Sequence, residues 1–497
     1  MAVPLMLSFL LEQLIGMTDV AFLGRVGEVE LGAAAIAGVC FLTLMMFGMG
    51  YGFGVQAWMS RKNGEKAFED IGRAFRSGIV FLMGLAALLI ALASFAAKPF
   101  LEAACESAAV ANAADTYLFW RVWGLPFAFA CALLRAFFIA TLKPGVLTAS
   151  SLVMVATNFV LNYVLIFGAG PVPAMGIAGA AIASTISEAV CLVFLAGYAL
   201  FRIDHRRYAL FGRLVWDGAL QRSLFQLGRW LMVQEAFAFF AWLLFFLAVE
   251  HLGEEPLAVS NIVRQICSTL FLFIHAFGST CGAIAANLIG EGREDEVPGL
   301  VRRGLVLCAG TMLPVMLAAA VFPAPVLGIF TSLESVIAAA GPTFYVMLGS
   351  FLTAVPAMYL LFVMGGIGRT WESSVATVAA SAVYLAYVFT ITRLTQNVAV
   401  VWTADWIYYI TAGGGVGRGW RRGGRRPRAR RSARRGADAL RLSLLRKRGR
   451  ALHHEGAGPV PGPAGPAGGA RGYTAAAPVP QRVAELGYPR GRGPRRV

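Results

Sequence analysis

Four stretches of this chain run for 30, 29, 34 and 43 residues without one Asp, Glu, Lys or Arg: Leu31–Ser60, Leu305–Leu333, Ser335–Gly368 and Gly145–Ser187. A bilayer core about 30 Å thick is crossed by roughly 20 apolar helical residues, so the longest stretch holds more than one crossing. A soluble chain carries about 25% charged residues; this one carries 14%, with 58% hydrophobic. A soluble enzyme is excluded. The fold class is an all-α polytopic membrane protein.

Twelve helices are predicted near 2–24, 31–60, 74–97, 110–140, 144–168, 174–202, 222–250, 257–290, 300–322, 336–366, 370–393 and 397–414, separated by turns such as Lys143-Pro144-Gly145 and Pro171-Val172-Pro173. The first apolar segment runs past Glu12 to Leu23 with no small-residue cleavage signature, so it reads as a spanning helix and not a signal peptide. Little chain precedes Pro4, as in a truncated start. Loops after even-numbered helices hold sixteen Lys and Arg, among them Arg61, Lys62, Lys143, Arg206, Arg293 and Arg369. The opposite side holds four, Arg25, Lys98, Arg121 and Arg393. Basic loops stay in the cytoplasm. Both termini are therefore expected there, in a multi-pass protein of the plasma (inner) membrane.

The halves repeat at an offset of 226: Gly27 and Gly253, Leu31 and Leu257, Ile36 and Ile262, Gly64-Glu65 and Gly290-Glu291, Arg76 and Arg302, Gly78 and Gly304. Six helices per half is an even number, so both repeats share one topology. Two six-helix lobes related by a pseudo-two-fold axis along the membrane normal follow. The expected domains are an N-lobe at 1–205, a cytoplasmic linker at 206–221, a C-lobe at 222–412 and a tail at 413–497. The net charge of +16 belongs to that tail, which carries 21 Lys and Arg against Asp438, Glu455 and Glu485. Its Gly, Arg, Pro and Ala cannot bury enough apolar surface to order themselves. The abrupt, GC-codon-rich composition fits a non-native extension better than an anionic-lipid or nucleic-acid contact, and Gly413-Gly414-Gly415 reads as compositional noise.

Ionisable side chains inside membrane helices default to functional hypotheses; here they are Glu12, Asp19, Arg135, Glu188, Glu235, Arg264 and Asp405. Asp19 has polar company at its depth. Asn158 and Asn162 form an i,i+4 pair on one face of helix five, and both Asp19 and Asn162 lie roughly 22–27 Å from the end at which their helices begin, at 1.5 Å per residue. Tyr117 and Ser184 fall in the same half of helices four and six. Such an oxygen-rich cluster could hold Na⁺, or a proton on Asp19; the alternative is that each group merely bonds across helices. Glu188, one turn from Ser184, is either a relay or a paired structural acid. Met45, Met46, Phe239, Phe240, Trp242 and Tyr359 are candidates for an adaptable substrate cavity, although most of the 35 Phe must simply pack or face lipid. The seven Cys are scattered without Cys-x-x-Cys and read as core filling. With no phosphate loop, nucleophile triad or zinc motif, no enzyme, no bound metal and no cofactor beyond a coupling ion is expected.

Two passages carry a resemblance. Pro4-x8-Gln13-x5-Asp19-Val20-Ala21-Phe22-Leu23-Gly24, with Gly27 and Leu31, looks like the first helix of multidrug and toxic compound extrusion (MATE) transporters. Asn158-Phe159-Val160-Leu161-Asn162-Tyr163 and Gly176-Ile177-Ala178-Gly179-Ala180 to Ser184 resemble their fifth and sixth helices. The resemblance, spanning about 2–412, implies H⁺- or Na⁺-coupled efflux of bulky cationic or amphipathic compounds by alternating access, in a monomer touching only substrate and lipid. It places Asp19 on the N-lobe acid, Asn158 and Asn162 on its helix-five partners, Tyr117 and Ser184 on hydroxyl positions, and Pro4 on a helix-one proline linked to bending. Where some branches carry C-lobe acids, this chain has Ala238 and Ala354, which shifts the weight to the N-lobe. The runner-up readings are a related flippase for lipid-linked saccharides, which calls for a cavity of Arg and Lys, and a membrane-embedded transferase.

Overall fold

The computed structural model describes residues 1–105, 107–214, 216–330 and 334–420. Six helices make the first lobe: α1 Ala2–Leu23, α2 Glu28–Gly64, α3 Phe68–Ala104, α4 Ala108–Ala140, α5 Gly145–Phe167 and α6 Gly176–Arg202. The second holds α7 Gly218–Glu250, α8 Glu254–Gly290, α9 Val297–Val321, α10 Glu334–Gly366, α11 Thr370–Leu394 and α12 over 404–420. Eleven of these are long and apolar enough to cross a membrane. Within α4 the ladder tightens to a 3-10 turn at Val122–Gly124, just before Pro126, which has no N–H to continue it. Each lobe has its own core, around Tyr51, Phe129 and Phe137 in the first and Phe344, Phe351 and Tyr359 in the second.

The repeat extends to backbone conformation. α2 and α8 are both 37 residues long, begin after Gly27 and Gly253, and end at Gly64 and Gly290. Left-handed residues follow at matching places: Lys66 (φ 58°) and Gly292 (φ 78°), then Leu142 (φ 61°) and Gly368 (φ 83°). Each pair is 226 apart, the sequence offset. The two strands of the repeat meet where α2 and α8 end. A Cβ built on Gly64 would stand 2.0 Å from the Asn287 carbonyl oxygen, and one built on Gly290 would stand 2.2 Å from that of Arg61. Positions 61 and 287 are themselves 226 apart, so the contact is reciprocal, as a two-fold axis requires. Asn63 Nδ2 donates to Asn287 Oδ1 at 2.6 Å across it. Further along, Gly54 of α2 lies against Gly228 of α7, and Gln56 Nε2 donates to Ser279 Oγ at 3.4 Å.

Several boundaries differ from expectation: α3 runs Phe68–Ala104 against the predicted 74–97, α2 extends by three to four residues at each end, and two further ends have a plain cause. The last helix, expected over 397–414, is α12 from 404 and continues through Gly413-Gly414-Gly415 to Trp420, past the expected lobe boundary at 412. Gly413 packs on Ala357, Gly415 on Ala376, Val416 is fully buried, and Arg369 Nη2 donates to the Gly419 carbonyl at 2.7 Å. In lipid the glycines that signal a loop in water instead let helices approach closely. The rest of the tail lies outside the described residues. α7 likewise starts at Gly218, four residues before the predicted 222, because Asp217 caps it by accepting from Ala219 N–H at 3.1 Å and Leu220 N–H at 3.0 Å. The linker before it holds a single helical turn, His205–Tyr208, fastened to α3 by Arg76 donating to the Ala209 carbonyl and by an edge-on contact of Tyr208 with Phe68.

Candidate functional site

Asp19 projects from α1 onto α5 and α6. Asn162 Nδ2 donates to Asp19 Oδ1 at 2.6 Å, and Ser184 Oγ donates to Oδ2 at 3.1 Å. The i,i+4 spacing on α5 brings Asn158 under Asn162, whose Nδ2 also reaches Asn158 Oδ1 at 3.0 Å. Asn158 Nδ2 closes the circuit on Ser184 Oγ at 3.1 Å. Asn158 and Asn162 are wholly buried. One atom stays outside the circuit: Asn162 Oδ1 is buried and accepts no hydrogen bond among the described residues. Buried acceptors are almost always satisfied. Both Asp19 oxygens accept hydrogen bonds, no positive charge is bonded to them among the described residues, and the neighbouring Asn162 Oδ1 is left without a partner, an arrangement suited to a bare monovalent cation or to a proton on Asp19.

Four of the five expected shell residues thus share one network, and Tyr117 stands apart. It is buried on α4, and among the described residues no hydrogen bond joins it to Asp19. One turn beyond it on α4 is Arg121. Its guanidinium pairs with both oxygens of Glu188, at 3.0 and 2.5 Å, and sits 3.8 Å over the Phe41 ring. The i,i+4 spacing from Tyr117 was the signal that would have found it. Glu188 is accordingly a paired acid, one turn along α6 from Ser184. Gly124 makes room for the pair, since a Cβ there would stand 2.5 Å from Arg121 Nη1 and 2.6 Å from Glu188 Oε2.

A second N-lobe cluster joins Arg135 to Glu12, whose Oε1 also accepts from Ser151 Oγ at 2.7 Å and Ser8 Oγ at 3.2 Å. Ser8, Glu12 and Arg135 line a cavity of about 190 Å³ that Met45 also lines. His275 of the second lobe also lines it, stacked between Phe9 at 4.7 Å and Phe362 at 4.5 Å. Pro4 lies in the first turn of α1, its carbonyl accepting from Thr148 Oγ1 of α5 at 2.7 Å. Phe239 and Trp242 line a larger cavity of about 430 Å³ in the second lobe, which Met46 of α2 also borders. Tyr359 does not line either cavity. It is fully buried under α9, its hydroxyl donating to the Val301 carbonyl at 3.1 Å in the space that Gly304 leaves. All seven cysteines are free thiols.

The sequence model of the MatE family matches residues 4–164 and 231–391, once on each lobe. The chain belongs to the MatE family. Among curated MatE relatives, the probable multidrug resistance protein NorM of Mesorhizobium japonicum is 31% identical over 216 residues, 43% of this chain and 46% of that one. The protein of the same description from Aromatoleum aromaticum is 25% identical over 356 residues, 71% and 76% of the two chains. A mutant of the Vibrio cholerae MATE transporter VcmN superposes with a TM-score of 0.77 at 17% identity, covering 85% of this chain and 95% of that one. A MOP superfamily transporter from Pyrococcus furiosus gives 0.76 at 17% identity, over 85% and 94%. At these identities the likeness to solved structures establishes the fold alone, a multi-pass, two-lobe helical membrane protein.

Proposed function

We propose that this chain is a cation-coupled multidrug antiporter: it exports bulky cationic or amphipathic small molecules across the plasma (inner) membrane by alternating access, exchanging them for H⁺ or Na⁺ at Asp19. The observation that carries the reading is the Asp19 circuit with its spare acceptor, Asn162 Oδ1. A carboxylate whose neighbours give it hydrogen bonds but no countercharge is costly inside a membrane until a cation joins it. With the cation bound, α1, α5 and α6 are drawn together; once it leaves, the uncompensated charge favours an arrangement that admits water. The ion thus biases the equilibrium between two lobe arrangements by its different affinity for each.

The packed seam of Gly64 and Gly290 lies at the basic, cytoplasmic end of the helices, and supports reading this arrangement as closed there. Pro4, whose carbonyl is fastened to α5, is the proposed gating residue of α1, and Tyr117 is proposed as a further residue of the ion site that bonds to Asp19 only in another arrangement. Met45, Phe239 and Trp242 contribute to the substrate path. The protein works as a monomer among lipids with both termini in the cytoplasm, without nucleic acid and without covalent chemistry. A saccharide-lipid flippase would need free basic side chains, yet Arg135 is tied to Glu12 and Arg264 lies on aromatic rings. The test is efflux of a cationic dye from proteoliposomes under an imposed Na⁺ or pH gradient. Efflux that stops in Asp19→Asn while the protein still inserts supports the reading; efflux at the parent rate overturns it.

A further inference from the structure

Two of the seven thiols are neighbours. Cys131 of α4 and Cys191 of α6 are both buried and free, and their sulfurs are in hydrogen-bond contact. The spacing on α6 explains the meeting. Cys131 Sγ donates to the Glu188 carbonyl at 3.5 Å, and Cys191 follows Glu188 by three residues on the same face of its helix. Arg135, one turn along α4 from Cys131, lies against Cys191 as well as Glu12. Burial does not isolate the pair, because Cys131 lines the 190 Å³ cavity of the first lobe, whose walls include Phe9, Met45 and Met154. Neither sulfur belongs to the Asp19 circuit.

Two adjacent thiols beside an apolar cavity restrict the ligand. Structural zinc takes four protein ligands, and among the described residues no group of three His, Cys, Asp or Glu is placed to hold a metal ion. A divalent ion would also bring its charge into buried surroundings, at a cost that two neutral thiols do not offset. Disulfide closure needs an oxidant to remove two electrons. A neutral, soft, trivalent centre meets none of these obstacles, since it takes two sulfurs and keeps a third substituent. We propose that Cys131 and Cys191 form a dithiol site that captures trivalent organoarsenicals, R–As(OH)2, with the organic group R lodged in the cavity beside Cys131. Each As–O bond is exchanged for an As–S bond, and each thiol proton leaves with the displaced hydroxide as water. Two thiols thus give one dithioarsonite and two waters, with arsenic trivalent throughout and no charge gained. The Arg135 guanidinium stabilises the negative charge that develops on sulfur during exchange. An apolar cavity of about 150 Å³ holds benzene, so one of about 190 Å³ accepts a phenyl group. Ser184 lies two turns before Cys191 on α6, and the captured arsenical therefore bridges α4 to the helix that closes the Asp19 circuit.

The probe is phenylarsine oxide, which is PhAs(OH)2 in water, added to the full chain in lipid nanodiscs. The readouts are intact mass and the thiols left open to maleimide once the protein is unfolded. The parent is expected to hold one phenylarsenic per chain, with 131 and 191 the two blocked positions. The adduct should survive millimolar glutathione, a monothiol, and come off with 2,3-dimercaptopropanol, because the second As–S bond closes intramolecularly at high effective concentration. Cys131→Ser and Cys191→Ser should each lower retention against glutathione by roughly a hundredfold, with melting temperatures in detergent reporting that both fold. An adduct that glutathione strips from the parent overturns the proposal with no variant needed. So does an adduct mapped to any of the other five thiols, or a loss of less than tenfold in either folded variant.

Discussion

A side chain at Gly64 or Gly290 should hold the two lobes apart at the ends of α2 and α8. The new Cβ of Gly64→Ala would meet the Asn287 carbonyl oxygen at 2.0 Å, and its carbon at 2.7 Å. An ordinary C···O approach is about 3.3 Å, so the helices must separate by about 1.3 Å. The obstacle is backbone inside a helix and cannot rotate away. Overpacking of this kind costs about 1–3 kcal/mol, which moves an equilibrium between lobe arrangements roughly 5–150-fold. The substitution should meanwhile improve local helix stability, since Gly inside a helix is unfavourable, so folding and closure are expected to move in opposite directions. Spin labels at the exposed positions Glu65 and Glu291, with Cys40, Cys105 and Cys267 replaced, read the separation by double electron–electron resonance. Gly64→Val and Gly290→Val should each broaden the distances toward longer values and slow transport, and the double variant should do so further. Distances and transport rates equal to the parent in both single variants would show that this seam is not a closure point.

Asp19→Asn is expected to abolish gradient-driven efflux without loss of insertion, whereas Asn162→Ala should lower its rate by less, because water can replace one neutral ligand; counterflow in proteoliposomes distinguishes the two. Arg121→Ala leaves Glu188 as an unpaired buried charge and should destabilise by about 3–5 kcal/mol, visible as a lower melting temperature in detergent, while Glu188→Gln combined with Arg121→Gln should restore much of the loss. Gly124→Ala should produce a milder version of the same defect, since its methyl occupies the space of that ion pair. Removing 426–497 should leave thermal stability and transport as they are, but cutting before Gly413 strips Val416 and Trp420 from the second core and should lower both.

The helices were legible because lipid leaves few options: an uncharged run of 30 residues must span, and its loops reveal themselves by Arg, Lys and Pro-Gly turns. The 226-residue offset was legible because the matching Gly and Arg sit where the backbone turns, and those turns recur in the structure with the same φ signs. The circuit of Asp19 was half legible. Spacing placed Asn158 and Asn162 on one face, but only the fold shows that Ser184 closes the ring and that Asn162 Oδ1 is left over. Arg121 escaped because its Glu188 partner is 67 positions away in sequence. Tyr359 was misplaced for a related reason. An aromatic stripe reads the same whether it faces a cavity or a neighbouring helix, and Gly304, which decides the matter, lies on another element. The glycines of 413–415 misled because a composition that unwinds in water is what close helix packing in lipid uses.

The left-handed turns set the two halves against each other in a way that bears on how the gene can change. At the turn after α2 and the turn after α4 the first lobe places Lys66 and Leu142 in a conformation that costs an L-residue about 1–2 kcal/mol, and the second lobe answers the same demand with Gly292 and Gly368. The chain therefore contains its own consensus: the later copy records the economical solution to a bend that the earlier copy still makes under strain. Borrowing across the repeat, with glycine at 66 and 142, becomes a rational first step toward a hardier first lobe, and each half can serve as a template for the other when substitutions are chosen.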